Sequence, residues 1–234
     1  TNVTVRTRLD RIPISATRAW LVGMVLLILP EVGALLQFVA SLLPLGETAV
    51  AAANRIPVLL SRETIPNQGT LIHSEGWQGT FLGLSPARAW TLRVGLLYAY
   101  GALCLYWLWR GYLLYQNRYR TASWTPFDDV VSRFRGHRWG QFGLVVVLAF
   151  LILAVFAPAL GPTTLEQNAL DPYSHEIDYY NEETDSVETI TVGAANMDST
   201  SQGIEDRNVG PLTYDQYDRF HPFGTLPSGQ DLFT

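Results

Sequence analysis

Three long apolar runs alternate with polar segments along the chain. They lie at about residues 19–45, 90–114 and 143–161, and the last of them, GLVVVLAFLILAVFAPALG, contains no charged residue. A helix needs about twenty residues to cross some 30 Å of hydrocarbon at 1.5 Å per residue. The pattern therefore predicts an all-α integral membrane protein with three transmembrane helices.

The first run contains one ionisable residue, Glu31, next to Pro30. An ionisable group within a span is costly and is a functional candidate by default, so a proton or ion relay is one interpretation. Structural packing is the other, because a hydroxyl of Tyr98 or Tyr100, or protonation of the carboxylate, would satisfy Glu31. A cleavable signal peptide would also be apolar, but the run is long and lacks a small-residue cleavage site.

Beyond residue 161 the chain becomes polar and acidic. Only the alternation in SVETITV, from Ser186 to Val192, suggests a short strand, so we expect residues 162–234 to form a largely irregular outer region with little strand. Imidazole and carboxylate groups suit divalent cations. The candidate ligands of such a site are His175, Glu176, Asp178 and His221. Their spacing fits no metal template, however, and a solvated acidic loop is favoured.

The arginines indicate the orientation, because flanking basic residues are retained on the cytoplasmic side. They precede the first run and lie between the second and third: Arg6, Arg8, Arg11, Arg18, Arg118, Arg120, Arg133, Arg135 and Arg138. The segment between the first two runs has balanced charges, and the segment after residue 161 is acidic. We therefore expect a multi-pass protein of the cell membrane with a cytoplasmic N-terminus and residues 162–234 extracellular.

The composition argues against several kinds of chemistry. All 16 basic residues are arginine, so the chain has no P-loop lysine. Cys104 is the only cysteine and lies in an apolar run, which excludes an internal disulfide and a cysteine-based zinc cluster. No hydrolase motif of the Ser/His/Asp or HExxH type is present. We expect no catalytic residue, metal, cofactor or nucleic-acid partner.

The closing stretch HPFGTLPSGQD, residues 221–231, has the composition of a structured turn. Its prolines restrict the backbone, and Gly224 and Gly229 permit tight turns. The following GQDLFT is consistent with the start of a helix, with Ser228 as its N-cap and Asp231 near the positive end of its dipole. The stretch therefore predicts a turn that returns the chain to the membrane.

The order of these features resembles the N-terminal part of the C-type permease subunit of the dipeptide, oligopeptide and nickel ABC importers. A basic, aromatic lead from residue 128 enters an apolar helix that ends in Ala157–Pro158, and an outer loop leads to the closing turn. The turn matches the family's re-entry motif at His221, Pro222, Gly224, Thr225, Gly229 and Asp231. Gln230 stands where the family usually has Arg.

The resemblance covers residues 128–234 and divides the chain into three parts. Residues 1–127 are an accessory region with two transmembrane helices, 128–161 contain the lead and the first permease-like helix, and 162–234 are the extracellular loop that ends in the motif. The resemblance implies a permease subunit, embedded in the lipid bilayer, of an importer for peptides or similar solutes.

The resemblance also implies the partners: a second permease subunit, separate ATP-binding subunits that hydrolyse ATP, and an extracellular solute-binding protein. The alternative is a non-transporting membrane protein whose acidic region is a sensor or adhesion module. The family's substrate pathway and its cytoplasmic coupling loop follow the stretch that the resemblance covers.

Overall fold

The computed structural model describes residues 15–43, 51–53, 55–72, 75–121, 124–201 and 208–233. Three helical segments are long and apolar enough to cross a membrane, as the sequence predicted: Ala16–Ala40, Pro86–Arg118 and Arg138–Val155. Large apolar side chains on these segments are exposed rather than buried, among them Val25 and Phe150. In a protein without a surrounding bilayer such exposure would be unfavourable, so these faces are suited to lipid.

The first span is not a single helix. Helix α1 (Ser15–Ile28) is followed by one 3-10 turn, Leu29–Glu31, and by α2 (Val32–Leu42). Pro30 explains the interruption, since proline lacks the amide hydrogen that an α-helix interior requires. The span begins earlier than predicted from the hydropathy, and residues 44–45 of the predicted span lie outside the described residues.

The second and third spans are single helices. Helix α3 (Pro86–Arg118) has Pro86 in its first turn and is longer than the predicted 90–114 at both ends. Helix α4 (Pro126–Gly136) is short and amphipathic and begins with a capping box between Thr125 and Asp128. Helix α5 (Arg138–Val155) follows, and its N-cap His137 accepts a hydrogen bond from the amide of Gly140 at 2.8 Å. A corner helix, α6 (Ala157–Leu160), completes this part.

Helices α1 and α3 are joined by a pair of tryptophans. Trp20 donates its indole N–H to the carbonyl of Trp107 at 3.0 Å, and Trp107 donates to the carbonyl of Trp20 at 3.1 Å. Gly23 and Gly111 provide the space, because a Cβ at either position would collide with one of these rings. Small residues at such contacts allow close approach of membrane helices.

The expectation of little strand in the polar segments is wrong, and with it the all-α assignment. The described residues contain three antiparallel two-stranded sheets: β1 (Thr70–Ile72) with β2 (Gly76–Gln78), β3 (Glu176–Asn181) with β4 (Ser186–Thr191), and β5 (Thr213–Tyr214) with β6 (Phe220–His221). Helix α7 (Val192–Ser201) follows β4 directly. SVETITV does supply a strand, but its partner EIDYYN lacks a clear apolar alternation and was therefore missed.

The polar segments pack together at one end of the three spans, and we call the described residues of 55–85 and 156–233 the cap. Thr70 donates to the carbonyl of Asp178 at 2.9 Å, and the rings of Trp77 and Tyr214 stack with centroids 6.1 Å apart. The buried core lies where the spans meet the cap, and it contains Ala34, Leu97, Phe156, Ala159 and Leu160. Both polar segments therefore lie on the same side of the bundle.

Candidate functional site

The closing turn is a compact loop within the cap. Gly224 has a φ of +80° and Gly229 a φ of +77°, a backbone region that favours glycine. Thr225 and Asp231 form an antiparallel bridge, and the amide of Leu232 donates to the carbonyl of Gly224 at 3.0 Å. The expected helix start is not found in the described residues 208–233, because Asp231 pairs with Thr225 instead.

Burial separates the motif residues from the others in this loop. The six positions that match the family's motif are all buried: His221, Pro222, Gly224, Thr225, Gly229 and Asp231. Between them the side chains of Phe223, Leu226 and Ser228 are exposed, and Gln230 is half-buried. The motif positions thus form the inner face of the loop, where each residue is constrained by its neighbours.

His221 lies between two carboxylates. Its Nδ1 is 2.5 Å from Asp231 Oδ1, and its Nε2 is 3.3 Å from Asp215 Oδ2, where the two groups form an ion pair without good hydrogen-bond geometry. Arg219 donates its Nε–H to the same Asp215 oxygen at 2.6 Å. The cluster joins β6 and its turn to the end of the motif.

The two carboxylates favour the charged form of His221. Burial by itself lowers the pKa of His221, but contacts with Asp215 and Asp231 outweigh it and raise the pKa above the ordinary value. For Asp215 burial has the opposite effect and by itself raises the pKa. The contact with His221 and the charge of Arg219 nevertheless bring the pKa of Asp215 below its usual range. Since both ring nitrogens of His221 face carboxylates, the cluster is suited to holding segments together rather than to acid–base chemistry.

Asp231 also binds the corner that follows α5. Its Oδ2 accepts a hydrogen bond from the Thr163 hydroxyl at 2.9 Å. Asn168 bonds the Asp231 backbone twice, accepting from its amide at 2.8 Å and donating to its carbonyl at 3.1 Å. The end of the motif is therefore tied to the segment that leaves the third span.

A cavity of about 360 Å³ lies beside the motif, between β1, β3 and β6. His221 and Asp231 form part of its wall, and amide and acidic side chains form much of the rest, among them Asn67, Gln78, Glu176 and Asp178. Among the described residues no group of three or more His, Cys, Asp or Glu side chains could hold a metal ion. The cavity is therefore an acid-rich recess beside the motif.

A buried arginine holds the same corner from the second span. Arg93 in α3 is fully buried and donates to the carbonyls of Ile65 at 2.8 Å and Gly161 at 3.0 Å, and to the Asn67 side-chain oxygen at 2.8 Å. One turn earlier Trp90 donates to the Leu160 carbonyl at 2.8 Å. The bonds to Leu160 and Gly161 satisfy carbonyls at the end of the corner helix α6, which follows the third span.

Glu31 is also buried, but its partner differs from the one expected. Its Oε1 accepts a hydrogen bond from the amide of Leu60 at 2.8 Å, and its Oε2 has no partner among the described residues. Tyr100, one of the expected partners, donates to the carbonyl of Leu27 at 2.7 Å instead. Glu31 thus holds the cap segment around Leu60 against the break in the first span.

One stretch of the chain matches a known family. Residues 125–180 match the model of the N-terminal transmembrane domain of oligopeptide transport permease C. This segment is permease-like. It begins at Thr125, the N-cap residue of α4, contains α5 and α6, and ends in β3. The resemblance seen in the sequence is therefore confirmed for this part of the chain. No curated protein and no solved structure matches the chain.

The match indicates a membrane transporter rather than an enzyme. The match covers less than half of the chain, and the His221–Asp231 motif lies outside the matched residues. Sequence reasoning missed Asp215, Asn168 and Thr163 as partners of the motif. The sequence did offer one signal: Arg93 lies within an apolar run, and a charged side chain in such a run must bind buried acceptors.

Proposed function

We propose that the chain is the N-terminal part of a membrane-embedded permease subunit of an ABC importer for peptides or similar small solutes. The observation that carries this proposal is the family match over residues 125–180, which coincides with α4, the third span and its corner. In this proposal the helices move, and ATP is hydrolysed on separate subunits. A second permease subunit and an extracellular solute-binding protein complete the complex.

The test is isolation and reconstitution of the complex. Tagged full-length protein is purified from its membrane, its partners are identified, and uptake of labelled peptides into proteoliposomes is measured with ATP. We expect ATP-binding subunits to co-purify and uptake to require ATP. The control is the same complex with the P-loop lysine of the ATPase replaced, which should not transport. Stable isolation without an ATPase would favour the sensor or adhesion alternative.

The orientation is a separate proposal: cytoplasmic N-terminus and extracellular cap. Its support is the described arginines at the end opposite the cap: Arg18, Arg118, Arg120, Arg133, Arg135 and Arg138. Arg6, Arg8 and Arg11, which also support this orientation in the sequence, lie outside the described residues. In a Cys104→Ala background, cysteines are introduced at Asn117 and Ser186. An impermeant thiol reagent applied to intact cells should label position 186 and not 117, and the reverse pattern would contradict the orientation.

The accessory role of residues 1–127 also remains a proposal. We expect deletion of residues 1–120 from the full-length protein to permit assembly with the partner permease. The deletion removes Trp90 and Arg93, which bind the corner after α5, so a loss of thermal stability is expected. Loss of assembly, measured by co-purification, would show that the two added spans are essential rather than accessory.

A further inference from the structure

A second cavity, of about 470 Å³, lies at the level where the spans meet the cap. Its floor is apolar and includes Ala34 of α2 and Phe156 of the corner after α5. Its other walls carry polar side chains from the segment that follows the first span, among them Arg55, Ser61 and Arg62. The cavity does not share a lining residue with the recess beside the motif.

Arg62 is half-buried, and one nitrogen of its guanidinium is not satisfied by the described residues. Its Nη1 is buried and has no hydrogen-bond partner among the described residues. Arg93, by contrast, places its two terminal nitrogens on three acceptors. Burial lowers the pKa of Arg62 to about 10, partly offset by the charge of Glu63, so the group is still charged at neutral pH. A buried charge without a partner is unfavourable unless a ligand compensates it.

The charges around the cavity suit a monoanion. Its lining contains Arg55, Arg62 and one acid, Glu63, which leaves one positive charge uncompensated. Glu31 of the first span does not line the cavity, and one of its oxygens accepts the amide of Leu60. Arginine is well suited to phosphate because its donors can bind two oxygens together.

The position of the cavity indicates which molecules can reach it. Leu59, which follows the lining residue Val58, is 55% exposed, and Leu29 at the break in the first span is 62% exposed. An apolar floor below a basic wall matches a phosphate that is linked to an apolar group. We propose that this cavity binds a phosphate monoanion, with Arg62 and Arg55 as its ligands, and that this site is independent of the proposed transport function. A phospholipid headgroup and free phosphate share this chemistry.

The test measures thermal unfolding of delipidated full-length protein in a neutral detergent. Three probes are titrated separately: dioctanoyl phosphatidylglycerol, dioctanoyl glycerol, and inorganic phosphate. We expect the phosphatidylglycerol to raise the Tm in a saturable manner and the glycerol lipid, which lacks phosphate, to have no such effect. An equal response to inorganic phosphate would identify a free anion as a sufficient ligand, whereas a response to phosphatidylglycerol alone would identify the lipid.

The variant Arg62→Gln separates a ligand-binding role from a structural one. We expect it to weaken phosphatidylglycerol binding about tenfold, because a charge-assisted contact is lost. Without added lipid its Tm should equal or exceed that of the unmodified protein, since an unpaired buried charge has been removed. A purely structural Arg62 would instead lower the Tm with and without lipid, and that result would overturn the proposal.

Two further variants complete the design. Arg88→Gln changes an exposed arginine of α3 that does not line the cavity, and it should leave binding unchanged. Arg55→Gln changes the exposed ligand and should weaken binding about threefold, which gives a result even if Arg62→Gln does not fold. No Tm response to either phosphate probe, or binding unchanged in both ligand variants, would overturn the proposal.

Discussion

In the cap and where the second span meets it, buried polar side chains bind segments that are distant in the sequence, whereas the ion pairs at the opposite end of the bundle join near neighbours. Arg93 reaches Gly161 and Asp231 reaches Thr163, each across 68 positions. At the other end Arg120 pairs with Asp128, and Arg133 with Asp129 four positions away. These buried long-range contacts exist only in the folded chain, so losing one of them should cost more than losing a local ion pair at the opposite end.

The largest effect is expected at Gly229. Its φ is +77°, and a Cβ would collide with the carbonyl of Asn196. Gly229→Val should therefore lower the free energy of unfolding by about 3–5 kcal/mol, as strain and overpacking combine. Gly224→Val should act similarly, because a Cβ there would lie 2.7 Å from the Val209 carbonyl. The measurement is the amount of folded protein in the membrane and its Tm.

Gly76→Val is the matched control for both glycines. Gly76 also has a positive φ, +82°, but nothing lies within 4 Å of a Cβ built there. It should carry the backbone strain without the collision, a cost of about 1–2 kcal/mol. If all three variants were equally stable, close packing around the motif would not be what requires glycine.

The next largest effect is expected for Arg93→Met. The change leaves the carbonyls of Ile65 and Gly161 and the side chain of Asn67 without their donor, so we expect a loss of about 3 kcal/mol. The matched control is Arg88→Gln on the same helix, where the side chain is exposed and the change should stay within about 0.5 kcal/mol. Equal Tm values for the two variants would contradict the role of Arg93 at the corner.

A smaller effect is expected from pH, and it should appear in the cap alone. The pKa of His221 in the folded protein lies above its unfolded value of about 6.5. Its stabilisation is therefore complete below about pH 6.5 and is lost as the pH rises through the raised pKa. Asp215 has a lowered pKa, so its stabilisation is present above about pH 3.9 and is lost as the pH falls through the lowered value.

Raising the pH from about 6 to about 9 should consequently lower the Tm by a few degrees. His221→Gln should remove most of this slope. The opposite end provides the comparison, because the contact with Arg120 and the amide of Thr125 lower the pKa of Asp128 to about 2. The hydrogen-exchange rates of the α4 amides, corrected for the intrinsic pH dependence of exchange, should therefore not change between about pH 6 and about pH 9. A Tm that rises with pH would contradict the charged state of His221.

The smallest effect is expected for Thr125→Ala at the start of α4. Thr125 accepts the amide of Asp128 within the capping box, and its loss should cost the helix about 1 kcal/mol. Faster hydrogen exchange should be confined to the first turn of α4. Thr125→Ser retains the capping hydroxyl and is the control. A fall in Tm as large as that of Arg93→Met would show that the two ends do not differ in the manner described.

The spans were predictable from the sequence because hydrophobic length is a local property. The basic lead into the third span was likewise visible in the order of residues, but the span runs from Arg138 to Val155 rather than over the predicted residues 143–161. The strands of the cap were missed because each sheet has only two short strands. EIDYYN, for example, is a strand because it pairs with SVETIT. Local patterns carry little information about such pairings.

The candidate site was predictable only in part. The glycines of the motif indicated a constrained turn, and their positive φ values agree with that expectation. The partners of the motif were not visible, because Asp215 precedes His221 by six positions in a stretch with several acids, and Asn168, which binds the backbone of Asp231, lies far upstream. The partner of Glu31 was mistaken for the same reason, since the amide of Leu60 carries no sequence signal.

The reciprocal bonds of Trp20 and Trp107 have a mechanical consequence for the first two spans. Each indole is anchored to the backbone of the opposite helix, so sliding α1 along α3 in either direction stretches both bonds at once. The pair therefore resists sliding of one helix along the other but allows the two helices to rotate about their contact point. Pro30 interrupts the first span on the cap side of this pair. We therefore expect the first span to bend mainly at Pro30, while the parts of α1 and α3 that contain the two tryptophans move as one rigid unit.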